Sequence, residues 1–317
     1  MRSPFLSAQK PTAVASSRLS DWLHKTGVIP ECEHQDTVGT FGRTVRDAVY
    51  ALDAIYDNDP RDNYSQAQIG KTPISGGYAH FWAIANEETK AQLGSLINLI
   101  QENGGTIING TEITNHVTVV NKAGWDWNWQ GKIGHPEKSE YTVVLVDFDN
   151  NIKKYLSELQ NTKMRSLEDI IKFNYENDGT EGGVYHGLPA FRSGQDGFLM
   201  SNETQGDRND TYWQALNYMQ NTTRGGIDAA QSHNGKRLSG LLVPISVAQT
   251  YQIAAQAGYP MITIPAGVYS DTGMPFGLGI MQTAFAEKEL NATEVVEAPG
   301  KAHSHRPGAE GREPKGN

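Results

Sequence analysis

An α/β fold is the class this sequence predicts. Two short, strongly apolar runs, Leu241-Leu-Val243 and Met261-Ile-Thr-Ile264, are joined by a helical stretch from Val247 to Ala257 that Gly258 closes. Runs of that kind read as a buried parallel pair linked through a helix. A second helix, expected over residues 87–103, carries Leu93, Leu96, Ile97 and Ile100 on one face. It ends at Gly104-Gly105 and leads into a short strand, Thr106-Ile-Ile108. Helix, glycine, strand is the rhythm of α/β proteins. A length of 317 residues, 38% of them hydrophobic, suffices for one large domain or two small ones.

The other elements follow from local signals. Residues 1–25 show no clear period. Thr44, with Asp47 three residues on, is an N-cap signal. Val45, Ala48, Val49, Leu52, Ile55 and Tyr56 then line one helical face, and Asn58-Asp-Pro60 stops the helix. Residues 111–140 read as irregular, Tyr141 to Val146 as a buried strand, and Ile152, Tyr155, Leu156 and Leu159 as a helical face. Ser166 and Asp169 cap a helix bearing Leu167, Ile170 and Ile171. Residues 176–208, rich in Gly, Asp, Asn and Ser, read as a long loop. Two helices are expected over 212–219 and 227–232, and Gly273-Met-Pro275 turns into Phe276 to Met281. Residues 291–317 hold no large apolar residue beyond Val295 and Val296 and read as a disordered tail.

Composition and charge exclude several classes. The net charge of −9 comes with no basic stripe, so no nucleic-acid partner is expected. No apolar run reaches the roughly 18 residues a membrane span needs. Met1-Arg-Ser-Pro-Phe-Leu-Ser-Ala8 is too short and polar for a signal peptide. Six Asn-x-Ser/Thr sequons, at Asn63, Asn109, Asn202, Asn209, Asn221 and Asn291, hint at a secreted ancestor. The single cysteine, Cys32, cannot form an internal disulfide. Glu31 and Glu33 beside it would raise its pKa, so it reads as a small core residue and not a nucleophile. The nine histidines include no His-Glu-x-x-His pattern, and His303 and His305 fall in the tail. No metal site or cofactor is expected on that ground. No Gly-x-x-x-x-Gly-Lys-Ser/Thr loop is present.

Short motifs follow one another in a telling order. Thr26-Gly-Val-Ile-Pro30, Gln35-Asp-Thr-Val-Gly39 and Gly42-Arg-Thr-Val-Arg-Asp-Ala48 come first. Gly187-Leu-Pro-Ala190, Gly235-Lys-Arg-Leu238, Gly240-Leu-Leu-Val-Pro244 and Ala257-Gly-Tyr-Pro260 follow. Ile262-Thr-Ile-Pro-Ala-Gly267 and Gly273-Met-Pro-Phe-Gly-Leu-Gly279 complete the series. The series resembles the C-terminal part of the amidase signature family, fungal type, over residues 26–290. The resemblance implies one large domain with a mixed central β-sheet flanked by helices on both faces. It also implies hydrolysis of a small-molecule amide through a Ser–cis-Ser–Lys triad. A serine hydroxyl needs an adjacent base, which the family supplies as an unprotonated lysine acting through a second serine. Glycine-rich backbone N–H groups hold the oxyanion.

The family's lysine, its Gly-Gly-Ser-Ser-Gly stretch and its nucleophile segment belong before the first of these motifs, and none stands before Thr26. Ser16-Ser17 with Lys10 and Lys25 is the one stand-in, but Met1 to Lys25 contains no glycine for a close backbone approach. The expectation is therefore a partial amidase domain over 26–290, between an atypical segment 1–25 and the tail 291–317, with no catalytic, cofactor-binding or metal-binding residues and no activity. Departures on both sides of a good match suggest a truncated or mis-spliced gene model. A partial fold would also leave a sheet edge and the apolar faces of the Leu241 to Ile264 block partly exposed.

Three features lie apart from that reading. Trp125, Trp127 and Trp129 alternate and would share one face if extended. With the 176–208 loop they define an alternative, a non-catalytic ligand-binding module or a partner subunit, although aromatic packing on the body is the plainer role. Glu181 and Asp196 read as solvated loop acids, and Asp36 as a turn-fixing residue.

Overall fold

The computed structural model describes residues 13–15, 28–42, 45–55, 85–111, 113, 135–177, 194–245 and 250–286. Strands β1 (Ala13–Ala15) and β2 (Thr40–Gly42) come first. Helix α1 (Val45–Ile55) buries Ala48 completely. The Thr40 hydroxyl donates to the Ala48 carbonyl oxygen at 2.7 Å and ties β2 to α1. The expected cap at Thr44 and stop at 58–60 lie outside the described residues.

Helix α2 (Glu87–Glu102) forms as its period predicts. Asn86 caps it by accepting from the Thr89 N–H, and Glu87 and Glu88 sit at its positive end. Gly104, at φ +91°, ends it in a conformation that costs other residues strain. The strand expected at 106–108 does not form: the segment meets no partner strand among the described residues, and a three-residue run cannot make a strand alone.

The next stretch corrects a second expectation. Residues 141–146 are helical, the opening of α3 (Glu140–Glu158), capped by Ser139. The run Tyr141 to Val146 is rich in β-branched residues, which favour strands. Packing decides for helix: Val143 and Val146, three apart, turn together onto Tyr212, Ala215 and Met219. Helix α4 (Leu167–Glu176) begins with the expected capping box, in which Ser166 and Asp169 satisfy each other's backbone N–H groups. Ser166→Ala is expected to cost about 1 kcal/mol, read as a lower urea midpoint, with little effect elsewhere.

Part of the expected 176–208 loop is also helical. Helix α5 (Asp196–Glu203) stacks Phe198 on Phe148 of α3, with ring centroids 5.4 Å apart. The two helices expected over 212–232 are one, α6 (Asp210–Ala230), capped by Asn209. Gly225 and Gly226 lie in the expected break and cost a helix about 1 kcal/mol each in propensity. Packing of Ile227 and Ala230 into the main core outweighs it. Asn234-Gly235, both at positive φ, then join β3 (Ser232–His233) to β4 (Lys236–Arg237) as a two-residue hairpin.

Strand β5 (Leu241–Pro244), helix α7 (Thr250–Ala257), β6 (Met261–Val268) and β7 (Pro275–Met281) complete the described chain. The sheet order is β2-β1-β6-β7-β5, and every ladder among the described residues is antiparallel. Strands β5 and β6 run in the same direction, as expected, but they are not a pair. The chain turns back after β6 through Gly273, at φ +68°, and β7 inserts between them.

Helices cover both sheet faces. Leu241, Val243, Met261 and Met281 pack on Ile227 and Ala230 of α6 and on Ile253, Ala254 and Ala257 of α7. Ile262, Ile264, Leu278 and Ile280 face Leu93, Leu96 and Ile100 of α2. Of the Leu241 to Ile264 block, Leu241, Val243, Ile253, Met261, Ile262 and Ile264 are buried, while Tyr251 is exposed and β5 stands at an edge of the sheet. Gly277 belongs to the same packing. A Cβ there would lie 2.3 Å from Thr263 Cγ2 and 2.7 Å from the Ile264 carbonyl oxygen.

Candidate functional site

Residues 31–36 form a closed turn. The Asp36 carboxylate accepts the backbone N–H of Glu31 at 3.0 Å and of Cys32 at 3.1 Å. The Cys32 carbonyl accepts the N–H groups of Gln35 and Asp36 in return. Asp36 is thus a turn-fixing residue, the role its place in the sequence suggested. The turn presents Cys32 and His34 to the middle of α3.

Asp147 waits there with a fully buried side chain. His34 Nδ1 lies 2.6 Å from its Oδ2, and Cys32 Sγ donates to the same oxygen at 3.3 Å. The other oxygen, Oδ1, accepts from Arg208 Nη2 and from the Tyr212 hydroxyl, each at 2.8 Å. Arg208 also pairs with Glu33, and its guanidinium lies over the Tyr212 ring. One carboxylate therefore gathers the 31–36 turn, α3, the segment before α6 and α6 itself.

The electrostatics follow from burial. Desolvation pushes the Asp147 pKa up, but hydrogen bonds from His34, Tyr212 and Cys32 outweigh it and hold the carboxyl below the ordinary range. Cys32 moves the other way: burial first, then the negative charge of Asp147, keeps its thiol protonated well above the usual value. The Tyr212 hydroxyl is raised by burial and by the same carboxylate. A thiol so placed is a poor nucleophile, in keeping with the core role read from the sequence. The three donor atoms, a sulfur, a nitrogen and an oxygen, all lie within 4.8 Å of one another.

The sequence did not reveal this cluster. Cys32 and His34 stand two apart in one turn, a visible signal, but Asp147 is 113 residues beyond His34. Most of the earlier candidates fall outside the described residues. Ser16, Ser17, Lys10, Lys25, Trp125, Trp127, Trp129 and Glu181 lie outside the described residues, as do His303 and His305. Asp196 is exposed in the first turn of α5. The motifs from Gly235 to Gly279 are sheet, hairpin and helix-end structure. Among the described residues no helix is long and apolar enough to cross a membrane.

With the helix-covered sheet and the turn in place, comparison with known proteins is informative. No family model matches the chain. The fold is shared with the peptide amidase of Stenotrophomonas maltophilia, at a TM-score of 0.69 and 21% identity over 88% of this chain and 56% of that one. It is also shared with an amidase family protein from Bacillus anthracis, at a TM-score of 0.66 and 21% identity over 88% and 51%. A protein of Schizosaccharomyces pombe named as an amidase is 44% identical over 307 residues, 89% of this chain and 50% of that protein. Another, from Arabidopsis thaliana, is 29% identical over 277 residues, 84% and 48%. The chain is thus similar in sequence to proteins named as amidases and shares its fold with solved amidases. It spans about half the length of the curated relatives it matches.

Proposed function

We propose that these residues are the C-terminal, substrate-side part of an amide hydrolase, and that the whole enzyme cleaves the C–N bond of a small amide. The observation that carries this reading is 44% identity to an amidase-named protein across half of that protein's length. The hydrolytic groups belong to the other half, as a Ser–Ser–Lys triad with a glycine-rich oxyanion site. The 317 residues contain no Gly-Gly-Ser-Ser-Gly stretch, which supports that division. In this reading the Asp147 hub is architectural: it anchors the turn 31–36 against α3 and α6.

A pair of proteins tests the division. The chain alone is expected to give no turnover of aliphatic or aryl amides and no labelling by a serine-directed fluorophosphonate. A chimera placing the first half of the Schizosaccharomyces pombe protein ahead of Thr26 is expected to gain both. Turnover or stoichiometric serine labelling in the chain alone would overturn the assignment of catalysis to the other half. A chimera that melts cooperatively yet cleaves no amide would overturn the hydrolase reading.

A further inference from the structure

We propose that Cys32, His34 and Asp147 form a binding site for a zinc-class divalent metal ion. The argument rests on donor chemistry, geometry and support. A thiolate, an imidazole and a carboxylate are the donors zinc takes in proteins. The two pairings on Asp147 Oδ2, 3.3 Å from Cys32 Sγ and 2.6 Å from His34 Nδ1, fall close to the edges of a tetrahedron around one ion. With zinc bonds of about 2.0–2.3 Å those edges are roughly 3.3–3.6 Å. The sulfur edge already fits, and the imidazole needs to withdraw by somewhat under an ångström.

The surroundings match what orients metal ligands elsewhere. Tyr212 and Arg208 hold Asp147 Oδ1 and leave Oδ2 turned toward Cys32 and His34. Outer partners of that kind fix ligand direction and are part of a working site. The Asp36 carboxylate fixes the backbone carrying Cys32. Cys32 and Asp147 are buried, and the His34 side chain, 11% exposed, is the most accessible of the three ligands.

The protons and charges balance. Binding replaces the thiol proton of Cys32, which leaves to solvent, by the metal–sulfur bond. A neutral His34 ring moves its proton from Nδ1 to Nε2, and a charged ring releases the Nδ1 proton. Thiolate and carboxylate together neutralise the divalent ion, and Arg208 keeps its pairing with Glu33.

Cobalt(II) added to the purified chain provides the test. The chain has one cysteine, so a thiolate-to-cobalt charge-transfer band in the near ultraviolet can come only from Cys32. One equivalent of cobalt is expected to saturate that band, and zinc to displace it. Zinc is expected to raise the melting temperature of the natural chain, because an ion that binds only the folded state stabilises it. His34→Ala, at the most accessible ligand, is expected to lose about tenfold or more in zinc affinity, the least that even an outer-shell change costs. A folded chain that shows no charge-transfer band with excess cobalt would overturn the site. Zinc stabilisation left unchanged by His34→Ala would overturn it equally.

Discussion

Asp147→Ala is expected to lower the stability of this chain by about 3–5 kcal/mol, read as a large fall in the urea midpoint. The side chain is fully buried and receives four donors: His34, Cys32, Arg208 and Tyr212. Alanine takes an acceptor from each of these donors and removes the buried charge that Arg208 meets on α3. An unpaired polar group costs more than the net value of the bond it lost. Asp147→Asn keeps the volume and some of the acceptor capacity, so its loss should be smaller. The acid side separates charge from packing. Because the folded carboxyl is held below the ordinary range, its stabilisation is complete above the unfolded value of about 3.9. It is lost as pH falls through the lowered folded value. Asp147→Asn should therefore lose this part of the acid-unfolding transition. An acid profile unchanged by Asp147→Asn, or an Asp147→Ala chain as stable as the natural one, would show that the hub holds nothing together.

Leu278→Ala is expected to cost about 2–5 kcal/mol, with the urea slope unchanged. Leu278 is completely buried at the middle of β7, opposite Ile264 of β6 and Pro244 of β5. Leu93 of α2 and Phe276 pack against it, with Leu96, Ile100 and Leu242 beside them. Its neighbours are fixed in two ladders and cannot collapse into the space, so the cavity term adds to the lost transfer energy. Val268→Ala provides the contrast. Val268 is 48% exposed at the end of β6, and its replacement should stay within about 0.5 kcal/mol. Equal losses at the two positions would mean that the sheet is not the stabilising core.

The elements legible in the sequence are those whose signals are local. Leu93, Leu96 and Gly104 announce α2, and Ser166 with Asp169 announces α4, because caps and one-sided periods act within a few residues. The apolar runs at 241 and 261 declared themselves as buried strands for the same reason. The errors share an opposite cause. Val143 and Val146 lie in a run with strand composition, yet Tyr212 and Met219, far along the chain, draw them into a helix. Gly226 sits inside one continuous helix because of what Ile227 and Ala230 pack against. Nothing near Leu241 says that β7 will come between it and Met261.

The candidate site divides along the same line. The motifs from Thr26 to Gly279 were enough by themselves to suggest the likeness to amidases, because a series of turn and strand signatures is written in consecutive residues. Cys32 and His34 stand two residues apart in the sequence, but it was the folded 31–36 turn that set them side by side. Their common partner Asp147, the Tyr212 hydroxyl and the Arg208 cation became neighbours only when α3 and α6 packed against that turn. Local sequence fixes caps, turns and periods because those interactions close over a few residues. The placement of β7 and the gathering of donors around one buried carboxylate depend on the burial of faces far apart in the chain, and only the tertiary structure decides that.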